Sequence, residues 1–279
     1  MISSKGFMAQ YGLKAYVVFA VLLLVVIGRL TALAGFSYMP PVVPADESEA
    51  VYHWLSMLGL PQLVFSHSFL PVVLDVLLVL LPVLFLFTLK RGFAIGFFVL
   101  LLLYFFTYNM VTGHHYHGLV GAVLITIPFF TKSETRFNLL WDAVRYYWLY
   151  IFASAALWKI LRGTVFYTDQ LTNILKAQQL DLLVQQPNSP QAQMVQYLIA
   201  NPSVSHAVLV VNVLVQATFL IGFFTKRFDT ALSTLAIVFC IANYFVMNIV
   251  SAELLILNLT LVNWNDLELK LGKFRKQQE

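Results

Sequence analysis

Long apolar runs alternate with short polar connections along this chain. Stretches such as AYVVFAVLLLVVIG (15–28) and FFVLLLLYFFTYNM (97–110) approach the length needed to cross roughly 30 Å of hydrocarbon. They are continuously apolar and show no strand-like alternation. Inside lipid the backbone must satisfy its own hydrogen bonds, so continuous runs predict helices and argue against a closed barrel. Eight such segments are read, at about 16–36, 67–89, 93–112, 118–130, 140–161, 204–224, 230–248 and 251–264. The pattern predicts an all-α, polytopic transmembrane helix bundle of about eight spans over residues 1–265. The fourth and eighth segments are short enough to tilt or to stop partway across.

Two connections are long. Residues 37–66 carry Asp46, Glu47 and Glu49, the stretch MPPVVP, and no Lys or Arg. Residues 162–203 are rich in Gln and Asn. Within them, YTDQLTNILKAQQLDLLVQQ places Leu171, Ile174, Leu175, Leu180, Leu182 and Leu183 at spacings that suit an amphipathic helix lying in the interface plane. A plain covering helix and a substrate lid are the other readings of that segment.

Composition agrees with the pattern. Hydrophobic residues make up 60% of the 279 and charged residues only 11%, more apolar surface than a soluble domain of this size uses. The excess of four positive charges is not a nucleic-acid signal, because the basic residues gather at helix ends. The one cysteine, Cys240, lies in an apolar run and excludes an intrachain disulfide. Lys5 and Lys14 precede an apolar run ending in TALAG, a pattern that a signal peptidase accepts; the run is long and holds Arg29, so it is read as the first spanning helix.

Charge sets an orientation. With both termini cytoplasmic, thirteen of the 17 Lys and Arg residues fall inside: Lys5, Lys14, Lys90, Arg91, Lys132, Arg136, Arg145, Lys226, Arg227 and the tail's Lys270, Lys273, Arg275 and Lys276. Residues 266–279 then form a basic cytoplasmic tail, and 37–66 and 162–203 are outer loops. In this frame the polar residues of the spans collect toward one level. TGHHYHGLVG (112–121) brings His114, His115 and His117 to the turn after the third segment. Arg29, Asp75, Lys159, Arg162 and Glu253 also fall in the outer halves or ends of their segments. An ionisable group at mid-bilayer costs about 2.5–3.5 kcal/mol on insertion scales, so the joint placement predicts a polar cavity at the outer face. Asp75 in particular needs a partner, with Arg29 or Lys159 the candidates.

Two chemistries suit such a cavity. Imidazoles bind Zn, Cu and Fe, but there is no HExxH, and adjacent His114 and His115 would point about 100° apart on a helix. The other is acid–base chemistry. An apolar wall disfavours the ammonium form of a lysine, which lets it serve as a base, and Lys159 in ASAALWKILRG follows small residues that allow close helix approach. A neighbouring histidine would stabilise a developing oxyanion.

GHHYHGLVGAVL, followed by YWLYIFASAALWKILRGTVFYTDQL, resembles the membrane domain of the vitamin K-dependent γ-glutamyl carboxylases and their bacterial HTTM relatives, over roughly residues 10–265. The resemblance implies Lys159 as the base acting on a quinol of the vitamin K hydroquinone type. It implies His114, or His115 in a shifted register, as the oxyanion partner, and a lumenal, topologically outer, active face. Arg29, Asp75, His117, Trp158, Arg162 and Glu253 would line or balance the substrate site. The family's Asn before the histidine is Gly113 here, and KILRGTVFYTD lacks the Trp-containing continuation. The chain ends at KLGKFRKQQE without the large lumenal domain that recognises a protein substrate. The Lys159 helix also resembles DoxX-like quinone-linked membrane proteins. The expectation is therefore a membrane enzyme, carboxylase- or oxygenase-like, with a quinol-like or lipid-phase substrate, in a bacterial inner membrane. The alternatives are a non-catalytic membrane partner or small-molecule binder, and an outer-face histidine metal site.

Overall fold

A computed structural model describes residues 4–40, 50–112, 118–247, 252–264 and 266–267. Among them every regular element is helical. In chain order the α-helices are α1 (Ser4–Thr31), α2 (Ala50–Met57), α3 (Leu60–Val64), α4 (Leu70–Thr88), α5 (Arg91–Thr112), α6 (Leu119–Leu124), α7 (Glu134–Leu161), α8 (Gln170–Gln178), α9 (Leu180–Gln185), α10 (Pro190–Ala200), α11 (Pro202–Thr218), α12 (Ile221–Phe224), α13 (Asp229–Met247) and α14 (Ala252–Leu255). Five stretches are long and apolar enough to cross a membrane: Tyr11–Tyr38, Leu70–Thr88, Arg91–Val111, Pro202–Phe223 and Asp229–Met247. They coincide with five of the eight predicted segments. The fourth is the short apolar stretch Leu119–Phe130. The fifth is a continuous 28-residue helix, α7, diluted by polar and charged residues. The eighth is one turn of α-helix followed by the 3-10 stretch Ile256–Leu261.

The five long apolar helices carry broad exposed apolar faces. Leu24 on α1, Val76 and Phe87 on α4 and Val211 on α11 are exposed although apolar. A water-soluble monomer rarely shows such broad apolar faces, and helices bathed in hydrocarbon require them. Together with the five long apolar helices, this marks an integral membrane protein.

The chain divides into two compact units. One comprises Met1–Trp141, Ala252–Leu257 and Trp264–Glu279, the other Asp142–Ser251 and Asn258–Asn263. The first unit is built on α1, α4 and α5, with Phe19, Phe85, Phe97 and Phe129 fully buried and packed ring against ring. Gly121 on α6 lets α14 approach closely, since a Cβ there would lie 2.7 Å from the Glu253 carbonyl oxygen. Lys14, one of the thirteen residues assigned to the cytoplasmic side, is buried with Nζ over the rings of Phe137 and Trp141, at 5.3 and 4.8 Å from their centroids.

The second unit gathers the rest of α7 with α8 to α13. Trp148 is buried and donates to Asn258 Oδ1, and Phe152 stacks on Phe219 with centroids 4.0 Å apart. Arg145, another of the thirteen, is buried as well. It is 1% exposed; its guanidinium grips both carboxylate oxygens of Asp229, with Nε to Oδ2 at 2.8 Å, and donates to the Gly222 carbonyl at 2.9 Å. The Gln-rich segment folds over α11: Leu171 and Leu175 of α8 join Val195 and Leu198 of α10 and Leu209 of α11 in one apolar cluster. α10 begins on a Ser189 side chain that accepts from the Ala192 N–H, with Pro190 next, a standard helix start.

Candidate functional site

The second unit holds a cavity of ≈ 380 Å³. Its walls come from the end of α7, one face of α8 (Leu171, Ile174), the α11 face from Val208 to Gln216 and the α13 face from Leu235 to Met247. The short connection from α11 to α13 makes these two helices antiparallel walls, so the cavity is long: ~12 Å measured along α11 and ~18 Å along α13 at 1.5 Å per residue. The lining is mostly Leu, Val and Phe. Val211, Val238 and Ala242 line it and are also exposed, so it opens sideways on the apolar faces of α11 and α13.

Lys159 supplies the charge. It is half-buried, and its Nζ donates to Gln216 Oε1 at 2.7 Å. Among the described residues no carboxylate lies within salt-bridge distance of it. The backbone end that presents it is fixed locally. Gly163 takes a left-handed conformation (φ +69°) that turns the chain after α7, and the Thr164 hydroxyl donates to the Lys159 carbonyl at 2.9 Å. Gln216 lies fourteen residues beyond Pro202, ~21 Å along α11, so the ammonium meets that helix deep in its apolar stretch.

Asn212 and Asn243 also line the cavity. Neither these nor Gln216 is among the residues singled out from sequence, yet a signal is present. VLVVNVLVQATFL carries two amides four residues apart inside an otherwise apolar run, which puts both on one helix face. Polar side chains in such a run mark a polar contact or cavity.

The remaining predicted site residues are distributed differently. Trp158 and Arg162 flank Lys159 in sequence but do not line its cavity; both are exposed, and the Arg162 guanidinium sits 4.1 Å above the Trp158 ring. Arg29, Asp75 and Glu253 belong to the first unit. Arg29 donates to Tyr104 Oη at 3.1 Å and to Glu253 Oε1 at 3.4 Å, with the Tyr108 ring 4.3 Å away. Asp75 pairs with neither Arg29 nor Lys159. Its carboxylate accepts the backbone N–H groups of Phe36 at 2.8 Å and Ser37 at 2.9 Å, which fixes the turn after α1. Gly35 makes room for it, since a Cβ there would lie 2.8 Å from the carboxylate.

His114, His115 and His117 lie outside the described residues. Among the described residues no three His, Cys, Asp or Glu side chains are grouped to hold a metal ion. No known protein family, curated protein or solved structure matches the chain.

Proposed function

We propose that this integral membrane protein binds a quinol-like, lipid-phase molecule in the Lys159 cavity, with Lys159 as the base. The observation that carries the reading is one lysine, hydrogen-bonded to a neutral amide, at the wall of an elongated apolar cavity that opens sideways. Its volume is in the range of small-molecule sites, which are mostly apolar with a few placed polar groups. Lys159 with Gln216 and then Asn212 offer polar groups ~6 Å apart along α11, so a ring with oxygens at opposite positions can meet both. In its neutral amine form, having first released a proton, Lys159 takes the proton of one ring hydroxyl. The resulting ammonium and the Gln216 amide N–H then face the oxyanion, where hydrogen bonds to charge are strongest.

His114 or His115 as a further oxyanion partner, with carboxylase- or oxygenase-like chemistry after deprotonation, completes the reading that the γ-carboxylase resemblance implies. Eight spans, cytoplasmic termini, an outward active face and a bacterial inner membrane belong to the same proposal and rest on the Lys and Arg distribution and on that resemblance.

The test is equilibrium binding of decylubiquinol to the full chain in phosphatidylcholine nanodiscs. Loss of a hydrogen bond to a charged group weakens binding about 10- to 100-fold, which is the effect expected for Lys159→Gln. Gln216→Leu should weaken it less. Equal affinity of wild type and both variants would remove the cavity from the function. Binding lost in Lys159→Gln, with no ionisation of bound menadiol seen by absorbance in the wild type, would leave a binder without a base.

A further inference from the structure

A second pocket, of ≈ 290 Å³, opens where α8 gives way to α9, and it is walled by glutamines: Gln178 at the end of α8, Gln179 between the two helices, Gln185 at the end of α9 and Gln186 just after it. Asp181 is its one charged lining residue, and no Lys or Arg lines it. Two features tie it to the Lys159 cavity. Met247 lines both. α8 also serves both, through Leu171 and Ile174 on the cavity side and Gln178 on the polar side, only ~6 Å along the helix axis from Ile174 to Gln178. Gln179, which lines the polar pocket, is buried and donates its amide to the carbonyl of the shared Met247 at 2.7 Å. That carbonyl belongs to the last turn of α13, where helix carbonyls lack a partner of their own.

We infer that this pocket takes the uncharged, polyhydroxylated head of an amphiphile, a single sugar ring on an apolar chain, with the chain running past Met247 into the Lys159 cavity. The chemistry of the walls selects that head. Each glutamine side chain offers both a donor and an acceptor, as a pair of neighbouring hydroxyls does. The Asp181 carboxylate accepts from Gln185 at 2.5 Å and has further lone pairs for hydroxyl donors. An anionic head would meet that carboxylate with no cation in the wall to offset it. Leu182 and Met247 supply an apolar surface for the carbon face of the ring. The inference rests on the reading of the Lys159 cavity as a lipid-phase ligand site, but not on Lys159 acting as a base.

The probe is radiolabelled dodecyl glucoside below its micellar concentration, bound to the full chain in phosphatidylcholine nanodiscs, with dodecanol, dodecyl phosphate and free glucose as competitors. Dodecyl glucoside should bind about tenfold more tightly than dodecanol, the gain of one or two net hydrogen bonds, and more tightly than dodecyl phosphate. Free glucose should not compete. The double variant Gln178→Ala/Gln186→Ala changes two exposed side chains and should erase the advantage over dodecanol while dodecanol binding persists. Equal binding of dodecyl glucoside and dodecanol in the wild type overturns the head-group assignment and leaves the cavity reading standing. Competition by free glucose as strong as by dodecyl glucoside overturns the shared occupancy. If neither dodecyl compound binds, the cavity reading fails and the inference falls with it.

Discussion

Lys159 and Gln216 form a pair in which each residue makes the other tolerable. An ammonium facing an apolar cavity needs an acceptor, and a buried amide needs a donor. Gln216→Leu should therefore destabilise the protein by about 1–3 kcal/mol, the cost of leaving a buried polar group unsatisfied. Lys159→Met/Gln216→Leu should recover much of that loss, because both partners become apolar. Thermal unfolding of the two single variants and the double in one detergent measures the coupling. Asp75 makes the opposite case, a charge satisfied by backbone. Asp75→Ala leaves the Phe36 and Ser37 amides without their acceptor; the buried Phe36 amide should cost about 1–3 kcal/mol and the exposed Ser37 amide less, and Asp75→Asn keeps one acceptor oxygen and should lose about half as much. Residue type alone marked Asp75 as a group needing a partner and Lys159 and Arg29 as ionisable groups within the spans, and that much the sequence made legible. The partners were not legible, because they come from elements distant in the chain: Gln216 is 57 residues from Lys159, and Asp75 reaches amides 38 and 39 residues away.

At the scale of elements, apolar length was readable and polar helices were less so. Five of the apolar runs became the five long apolar helices, and the few polar groups within them, such as Arg29, Asp75 and Gln216, find partners inside the fold. α7 carries Asp142, Arg145 and Lys159 and needs each of them satisfied within the fold. Arg145 is satisfied by Asp229 and the Gly222 carbonyl, Asp142 by Lys226 at 2.6 Å, and Lys159 by Gln216. Arg145 was counted from sequence among the cytoplasmic-side charges, within the segment 140–161; its carboxylate partner was not legible, since it lies 84 residues away at the start of α13. Removing one member of this buried pair should be severe. Arg145→Met strands Asp229 and should cost about 3–5 kcal/mol, whereas Arg145→Met/Asp229→Leu should return most of it. Guanidine-free unfolding by sodium dodecyl sulfate titration, followed by tryptophan fluorescence, would register both. A double variant no more stable than Arg145→Met would mean that the guanidinium contributes through Gly222 and its packing, and not through the ion pair.

At the scale of the whole molecule the question is how many helices cross, and the basic residues discriminate among the answers. Take the N-terminus as cytoplasmic. If only the five long apolar helices cross, Lys132, Arg136 and the basic tail end up outside, against the usual bias toward the inside. If α7 also crosses, Lys132 and Arg136 remain outside and Lys226 and Arg227 join them. Only when 118–130 and the final segment cross as well, eight in all, do these residues and the tail all fall inside. α7 has the length for a crossing, ~42 Å over 28 residues, and Asp142, Arg145 and Lys159 each have a polar partner. The stretch 118–130 reaches only ~18 Å as Leu119–Phe130, so its crossing requires thinning of the bilayer or polar flanks that reach the interface. Two exposed positions separate the three topologies. In a Cys240→Ser background, Ser133→Cys and Asn188→Cys would be treated in intact cells with a membrane-impermeant maleimide. Five crossings leave both labelled, and six leave only Ser133→Cys labelled. Eight crossings label Asn188→Cys alone, which is the expected result and puts the glutamine-rich segment on the outer side.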